Sequence, residues 1–135
     1  MATAYIGLGS NLGDRERALR LALRKIGELP DTRIAQSSTL HETDPVGGPP
    51  QGKFLNAAAR VETDLEPLEL LRGLQKIERE MGRPAEHERW GPRAIDLDLL
   101  TYDDLALQTP ELTLPHPRMQ ERPFVMIPLN EIKNR

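Results

Sequence analysis

The chain has no cysteine among its 135 residues. That excludes disulfides, thiolate nucleophiles and cysteine-bound zinc or iron–sulfur centres, and it fits a reducing compartment. No apolar run approaches the ~20 residues of a membrane span, and no basic segment leads into an apolar one at the N-terminus, so no signal peptide is visible. Charge of one sign is not in large excess. There are 18 Lys+Arg against 21 Asp+Glu, a net charge of −3, so nucleic acid and anionic membranes are not the default partners. Aromatics are only 4% of the chain, with one tryptophan and two phenylalanines, so each can be weighed singly. One soluble, cytoplasmic domain over residues 1–135 is expected, long enough to bury a core.

Against that background one stretch stands out, Arg89-Trp90-Gly91-Pro92-Arg93-Ala94-Ile95-Asp96-Leu97-Asp98. A loop with two arginines and the sole tryptophan runs into a strand with two aspartates. Side chains alternate along a strand, so Asp96 and Asp98 share one face, and Ile95, Leu97 and Leu99 take the other. Two carboxylates roughly 6.5–7 Å apart along a strand can converge on one divalent ion or bracket two. The plain reading of Asp-x-Asp is a solvated face, although Asp is disfavoured in strands. Guanidiniums beside metal-type carboxylates suit phosphoryl transfer.

The remaining pattern predicts an order of elements. Thr3–Leu8 reads as a strand and Gly7–Gly13 as a turn. A helix from about Asp14 to Leu29 follows, with Leu19, Ala22, Leu23 and Ile26 on one side. Arg33–Leu40 reads as a strand, and a Gly/Pro-rich loop runs from Thr43 to Gly52. Leu55–Thr63 is a third strand. Pro67 opens a second helix with Leu70, Leu74, Ile77 and Met81 in a stripe, and Gly82 stops it. A second irregular loop, Arg83–Pro92, leads to a strand over Arg93–Thr101. A short hairpin and a C-terminal helix over Phe124–Ile132 complete the chain. The order β-α-β-β-α-β predicts an α+β, ferredoxin-like core: an antiparallel sheet with helices on one face and long functional loops.

Other candidates carry paired readings. Gly7-x-Gly9 lacks the third glycine of a dinucleotide fingerprint, because position 12 is Leu12. It is either a close backbone approach at the strand end, by a ligand or by the Gly47/Gly48 loop, or a plain tight turn. His41, His87 and His116 show no paired metal spacing, so zinc is not expected. His116, held between Pro115 and Pro117, is either an oriented anion contact or a surface residue. Arg83, Arg89, Arg93, Arg118 and Arg122 all fall in irregular segments. Phe54 and Phe124 are either core aromatics or two walls of a flat slot, whose ligand Asn56 would read on the same strand face as Phe54.

Four segments together carry a family resemblance: Ala4–Gly13, Phe54–Ala58, Arg89–Leu99, and Leu112–Met119 with Glu121–Phe124. In this order the chain resembles the 6-hydroxymethyl-7,8-dihydropterin pyrophosphokinases of folate biosynthesis over essentially its whole length. The resemblance implies transfer of the β,γ-pyrophosphoryl unit of ATP to the pterin hydroxymethyl oxygen, with release of AMP. It implies two Mg²⁺ ions on Asp96 and Asp98, with Arg83 and Arg93 joining them in catalysis. Gln75, Glu78, Arg83, Trp90, Arg93, Leu99, Thr113, His116 and Arg122 are implied on the ATP side, Gln75 and Glu78 from an exposed side of the second helix. Thr43, Pro45, Val46, Phe54, Asn56 and Phe124 are implied around the pterin. A monomer acting on two small molecules, without nucleic acid or membrane, is expected. The competing classes are a non-catalytic ferredoxin-like binding module and a metal-dependent phosphohydrolase.

Overall fold

The computed structural model describes residues 1–44, 52–82 and 94–133. Its elements run β1 (Ala2–Ser10), α1 (Arg15–Gly27), β2 (Thr32–Ser37), β3 (His41–Thr43), β4 (Phe54–Thr63), α2 (Pro67–Glu80), β5 (Asp96–Tyr102), β6 (Leu107–Gln108), β7 (Thr113–Leu114) and α3 (Pro123–Lys133). The main sheet has the order β2-β4-β1-β5, with β3 also paired to β4, and every pairing is antiparallel. Counting β2 and β3 as one interrupted edge, this is the ferredoxin-like arrangement.

Local chemistry sets the two core helices. The Asp14 side chain accepts the Arg17 N–H and caps α1, which relieves one of the unpaired donors of a first turn. Pro67 starts α2, and Glu66 and Glu69 form a reciprocal capping box,. Leu19, Ala22 and Ile26 of α1 and Leu70, Leu74 and Ile77 of α2 pack on Ala4, Ile6, Leu8, Ala57, Ala59, Val61, Ile95, Leu97 and Leu99. Both core helices therefore share one sheet face. The C-terminal helix takes the other. Val125, Leu129 and Ile132 of α3 close over Ala58 and Leu100, because alternation turns these two away from their neighbours. No helix among the described residues is long and apolar enough to cross a membrane.

Three boundaries differ from expectation. β1 continues to Ser10, so Gly7 and Gly9 lie in the central strand and not in the turn. The edge strand expected over Arg33–Leu40 ends at Ser37, and a second short strand, His41–Thr43, follows beyond the expected range. Ser38 interrupts the edge: its N–H donates to the Ala58 carbonyl at 2.8 Å, and its hydroxyl accepts the Ala58 N–H at 2.9 Å. One side chain thus replaces a ladder partner where the backbone turns away. The Asp-x-Asp strand begins at Asp96.

Candidate active site

The register of the sheet gathers the site. Gly9 pairs with Asn56 on one side and Asp96 on the other; Gly7 pairs with Ala58 and Asp98. His41 stands opposite Asn56, and Thr43 opposite Phe54. Directly opposed residues project to the same face. Asp96, Asp98, Asn56, Phe54 and Thr43 therefore share the α3 face, at the end nearest the start of that helix. Between the aspartates and Asn56 lie two glycines, which contribute no side chain.

Gly9 is there for space. A Cβ on it would lie 3.0 Å from Asn56 Oδ1 and 3.5 Å from Phe54 Cδ1. The approach is close, but the groups that make it are the Asn56 and Phe54 side chains; the expected Gly47/Gly48 loop lies outside the described residues. Asn56 is 4% exposed, and its Nδ2 donates to Thr43 Oγ1 at 2.6 Å. In this orientation the Thr43 hydroxyl is the acceptor, and the bond ties the amide to β3.

Residues outside the site brace it. Arg15 donates to the Lys53 carbonyl at 2.9 Å and to the Glu42 carboxylate at 2.7 Å. Asn11 Nδ2 donates to the Gly52 carbonyl at 3.1 Å. These bonds hold the chain on either side of residues 45–51, next to Thr43 and Phe54. The Arg15 hydrogen bond, aided by its charge, keeps the Glu42 carboxyl below its usual range,. No sequence spacing pointed to Arg15, whose partners are 27 and 38 residues away.

A second group arrives from the C-terminal segment. The His116 N–H donates to the Leu100 carbonyl at 2.8 Å, which lays this segment along β5. The Arg118 N–H donates to His116 Nδ1 at 3.3 Å, so the neutral ring carries its proton on Nε2. Burial first, then the Arg122 charge, lowers the His116 pKa, while the Asp96 carboxylate opposes them. His116, Arg122 and Asp96 thus sense one another. The Arg122 guanidinium carbon lies 5.7 Å from the centroid of the Phe124 ring, within cation–π range. Phe124 is half-buried against the α3-side core.

Among the remaining candidates, Gln75 is exposed on α2 and Thr113 is half-buried on β7. The Leu99 side chain is 2% exposed and belongs to the opposite, core face. Arg83, Trp90, Arg93, Pro45 and Val46 lie outside the described residues, as do both Pro/Gly loops for most of their length.

Glu78 requires a correction. It is not on an exposed side of α2 but 7% exposed, and its carboxylate accepts the Leu97 N–H at 2.8 Å. Position 78 follows Leu74 by four residues, which places it on the buried stripe. β5 is an edge strand, so the Leu97 N–H points away from β1 and needs an acceptor. Glu78 supplies it midway between the two aspartates. Glu78→Ala is expected to cost about 1–3 kcal/mol of stability through the lost acceptor, with a fall in kcat as β5 loosens. Glu78→Gln, which keeps a carbonyl, should retain most of both. Urea denaturation and turnover of the two variants check this.

No group of three or more His, Asp, Glu or Cys residues is placed to hold a metal among the described residues. Two carboxylates on an open strand face, opposite glycines, suit an ion that keeps water and takes substrate phosphate oxygens for the rest of its shell. Magnesium behaves this way.

A sheet carrying an acidic pair at one end of a row, an amide and an aromatic ring at the other, and arginines with a histidine beside it has the outline of a nucleotide-dependent transferase on a ferredoxin-like fold. The comparisons specify it. The profile of the 7,8-dihydro-6-hydroxymethylpterin-pyrophosphokinase family matches residues 5–134, and the chain belongs to that family. It is 49% identical over 129 residues to 2-amino-4-hydroxy-6-hydroxymethyldihydropteridine pyrophosphokinase of Bacillus subtilis, covering 96% of this chain and 77% of that protein. It is 45% identical to the Haemophilus influenzae protein of the same name, covering 98% and 82%. Among solved structures, the HPPK-DHPS of Plasmodium falciparum with pteroate superposes with a TM-score of 0.74 at 16% identity. That match covers 96% of this chain and 38% of the larger one and bears on the fold.

Proposed function

We propose that this protein transfers the pyrophosphoryl group of ATP to the hydroxymethyl oxygen of 6-hydroxymethyl-7,8-dihydropterin, giving AMP and the pterin diphosphate in folate biosynthesis. The observation that carries this reading is the single row Asp96–Gly9–Asn56 across the sheet. It sets a ring-reading amide and a phosphate-handling carboxylate one strand apart on either side of a glycine.

Each residue has a part. Phe54 and Phe124 hold the flat pterin, and Asn56, oriented by Thr43, reads its polar edge. Pro45 and Val46 complete the pterin side. His116 donates from Nε2 to a phosphate oxygen, and Arg83, Arg93 and Arg122 neutralise the triphosphate. Gln75, Trp90, Leu99 and Thr113 line the nucleotide side, Leu99 through its backbone because its side chain is in the core. Glu78 acts on the same side by holding β5. Asp96 and Asp98 would hold two Mg²⁺ ions. Such ions, when bound, offset phosphate charge and lower the pKa of the attacking hydroxyl. Phosphoryl transfer needs positioning and charge neutralisation more than covalent help from the protein, and no nucleophilic side chain is required of this site. The protein acts as a cytoplasmic monomer on small molecules; its net charge of −3 favours neither nucleic acid nor a membrane surface,.

The test is AMP release from Mg-ATP with and without the hydroxymethyl dihydropterin. AMP and pterin diphosphate in equal amounts, only with pterin present and abolished by EDTA, are expected. Inorganic phosphate released without pterin would instead mark a phosphohydrolase, and binding without turnover a ligand-binding module.

A further inference from the structure

β3 is three residues long, and three cross-strand pairs hold an edge strand only weakly. Yet its last residue, Thr43, must stay within hydrogen-bond reach of Asn56. A second support comes from α3. The Glu131 carboxylate accepts the Thr39 N–H at 2.7 Å and the Thr39 hydroxyl at 2.7 Å, and lies 2.9 Å from His41 Nε2. Thr39 Oγ1 and His41 Nε2 are themselves 3.2 Å apart. These residues are 90 or more positions from Glu131 in sequence. The two Thr39 bonds, then that of His41, hold the Glu131 carboxyl down to about 2, so the acceptor is charged at neutral pH and its hydrogen bonds are charge-assisted.

The anchor joins both sides of the pterin slot. His41, the residue it holds, is the register partner of Asn56, and Thr43 follows two residues later on the same face. At its other end α3 opens with Pro123-Phe124. Positions 124 and 131 are seven apart, two helical turns, and so share one side of the helix.

We propose that Glu131 is a positioning residue for substrate recognition: by fastening β3 to α3 it keeps Thr43 on the Asn56 amide and Phe124 in step with both. The inference rests on the assignment of Asn56 and Thr43 to the pterin. Glu131 itself touches neither substrate nor phosphate. Its loss lets the three-residue strand slip, frees the Asn56 amide to rotate, and weakens selection of the ring edge while the Asp96/Asp98 end of the row stays as it is.

Steady-state kinetics on Glu131→Ala, Glu131→Gln and His41→Ala in the full chain test this, with melting temperatures measured in parallel. Glu131→Ala should raise the KM for the hydroxymethyl dihydropterin by about tenfold or more, with kcat and the KM for ATP within about threefold of the parent. Glu131→Gln, which keeps a carbonyl for the Thr39 N–H, and His41→Ala, which keeps both Thr39 bonds, should fall between. If Glu131 acts through Thr43, the double variant Glu131→Ala/Thr43→Ala should be no worse for pterin than Thr43→Ala alone. A pterin KM within about twofold of the parent in Glu131→Ala, at any melting temperature, overturns the proposal. So does an equal loss across kcat and both KM values, which marks general loosening. If Glu131→Ala does not fold, the same criteria apply to Glu131→Gln and His41→Ala. An Asn56→Ala control that retains pterin affinity overturns the pocket assignment and this inference with it. A normal loss in that control beside an unchanged Glu131 series overturns this inference alone.

Discussion

Asp96→Ala and Asp98→Ala should each reduce turnover on the order of a thousandfold or more while the protein remains folded. Both carboxylates leave the same face of β5, opposite Gly9 and Gly7, and neither side chain is part of the hydrophobic core. Replacement should therefore leave the sheet intact and remove a group needed chiefly where phosphate charge must be offset. The loss should appear in kcat, because the interaction strengthens as the bond to the leaving AMP oxygen breaks. Circular dichroism separates unfolding from lost chemistry, and AMP release measures the effect. A variant within about tenfold of the parent shows that its aspartate holds no metal required for the reaction.

The pterin end should respond in two different ways. Stacking is generic to flat rings, so Phe54→Ala or Phe124→Ala should weaken every bicyclic ligand. An edge-reading amide is selective, because a ligand that cannot match it leaves buried polar atoms unpaired, at about 1–3 kcal/mol each. Asn56 is nearly inaccessible and its Nδ2 already donates to Thr43, so turning to suit a mismatched ring would require the Thr43 hydroxyl to switch from acceptor to donor. Asn56→Ala should lower pterin affinity about ten- to a hundredfold and spare ATP. Calorimetry with each ligand on the three variants distinguishes these effects. Unchanged pterin affinity in Asn56→Ala would remove that residue from the site.

Much of this arrangement was readable in the chain because it is set locally. Period-two alternation alone put Asp96 and Asp98 on one face and Ile95, Leu97 and Leu99 on the other, and the burial of the isoleucine and both leucines agrees,. The i, i+3, i+4 stripes of Leu19-Ala22-Ile26 and Leu70-Leu74-Ile77 identified the core helices, and Asp14, Pro67 and Gly82 marked their ends. The same alternation put Phe54 and Asn56 together. The four motifs with their order and spacing specified the family.

Tertiary structure decided what depends on which element docks against which. Glu78 is a charged residue on a helix, and its chemistry suggests solvent; only the docking of α2 beside the open edge of β5 makes it the acceptor for Leu97. Ser38 looks like any strand serine until β4 places the Ala58 backbone against it. Gly9 could equally have been a turn glycine; the sheet register brings Asn56 and Phe54 over it. Arg15 and Glu131 meet partners between 27 and 92 residues away, and no local period encodes such contacts. Alternation and helical pitch are properties of a segment and can be read along it. Satisfying an edge-strand N–H, or anchoring a three-residue strand, belongs to a pair of segments and exists only once the chain has folded.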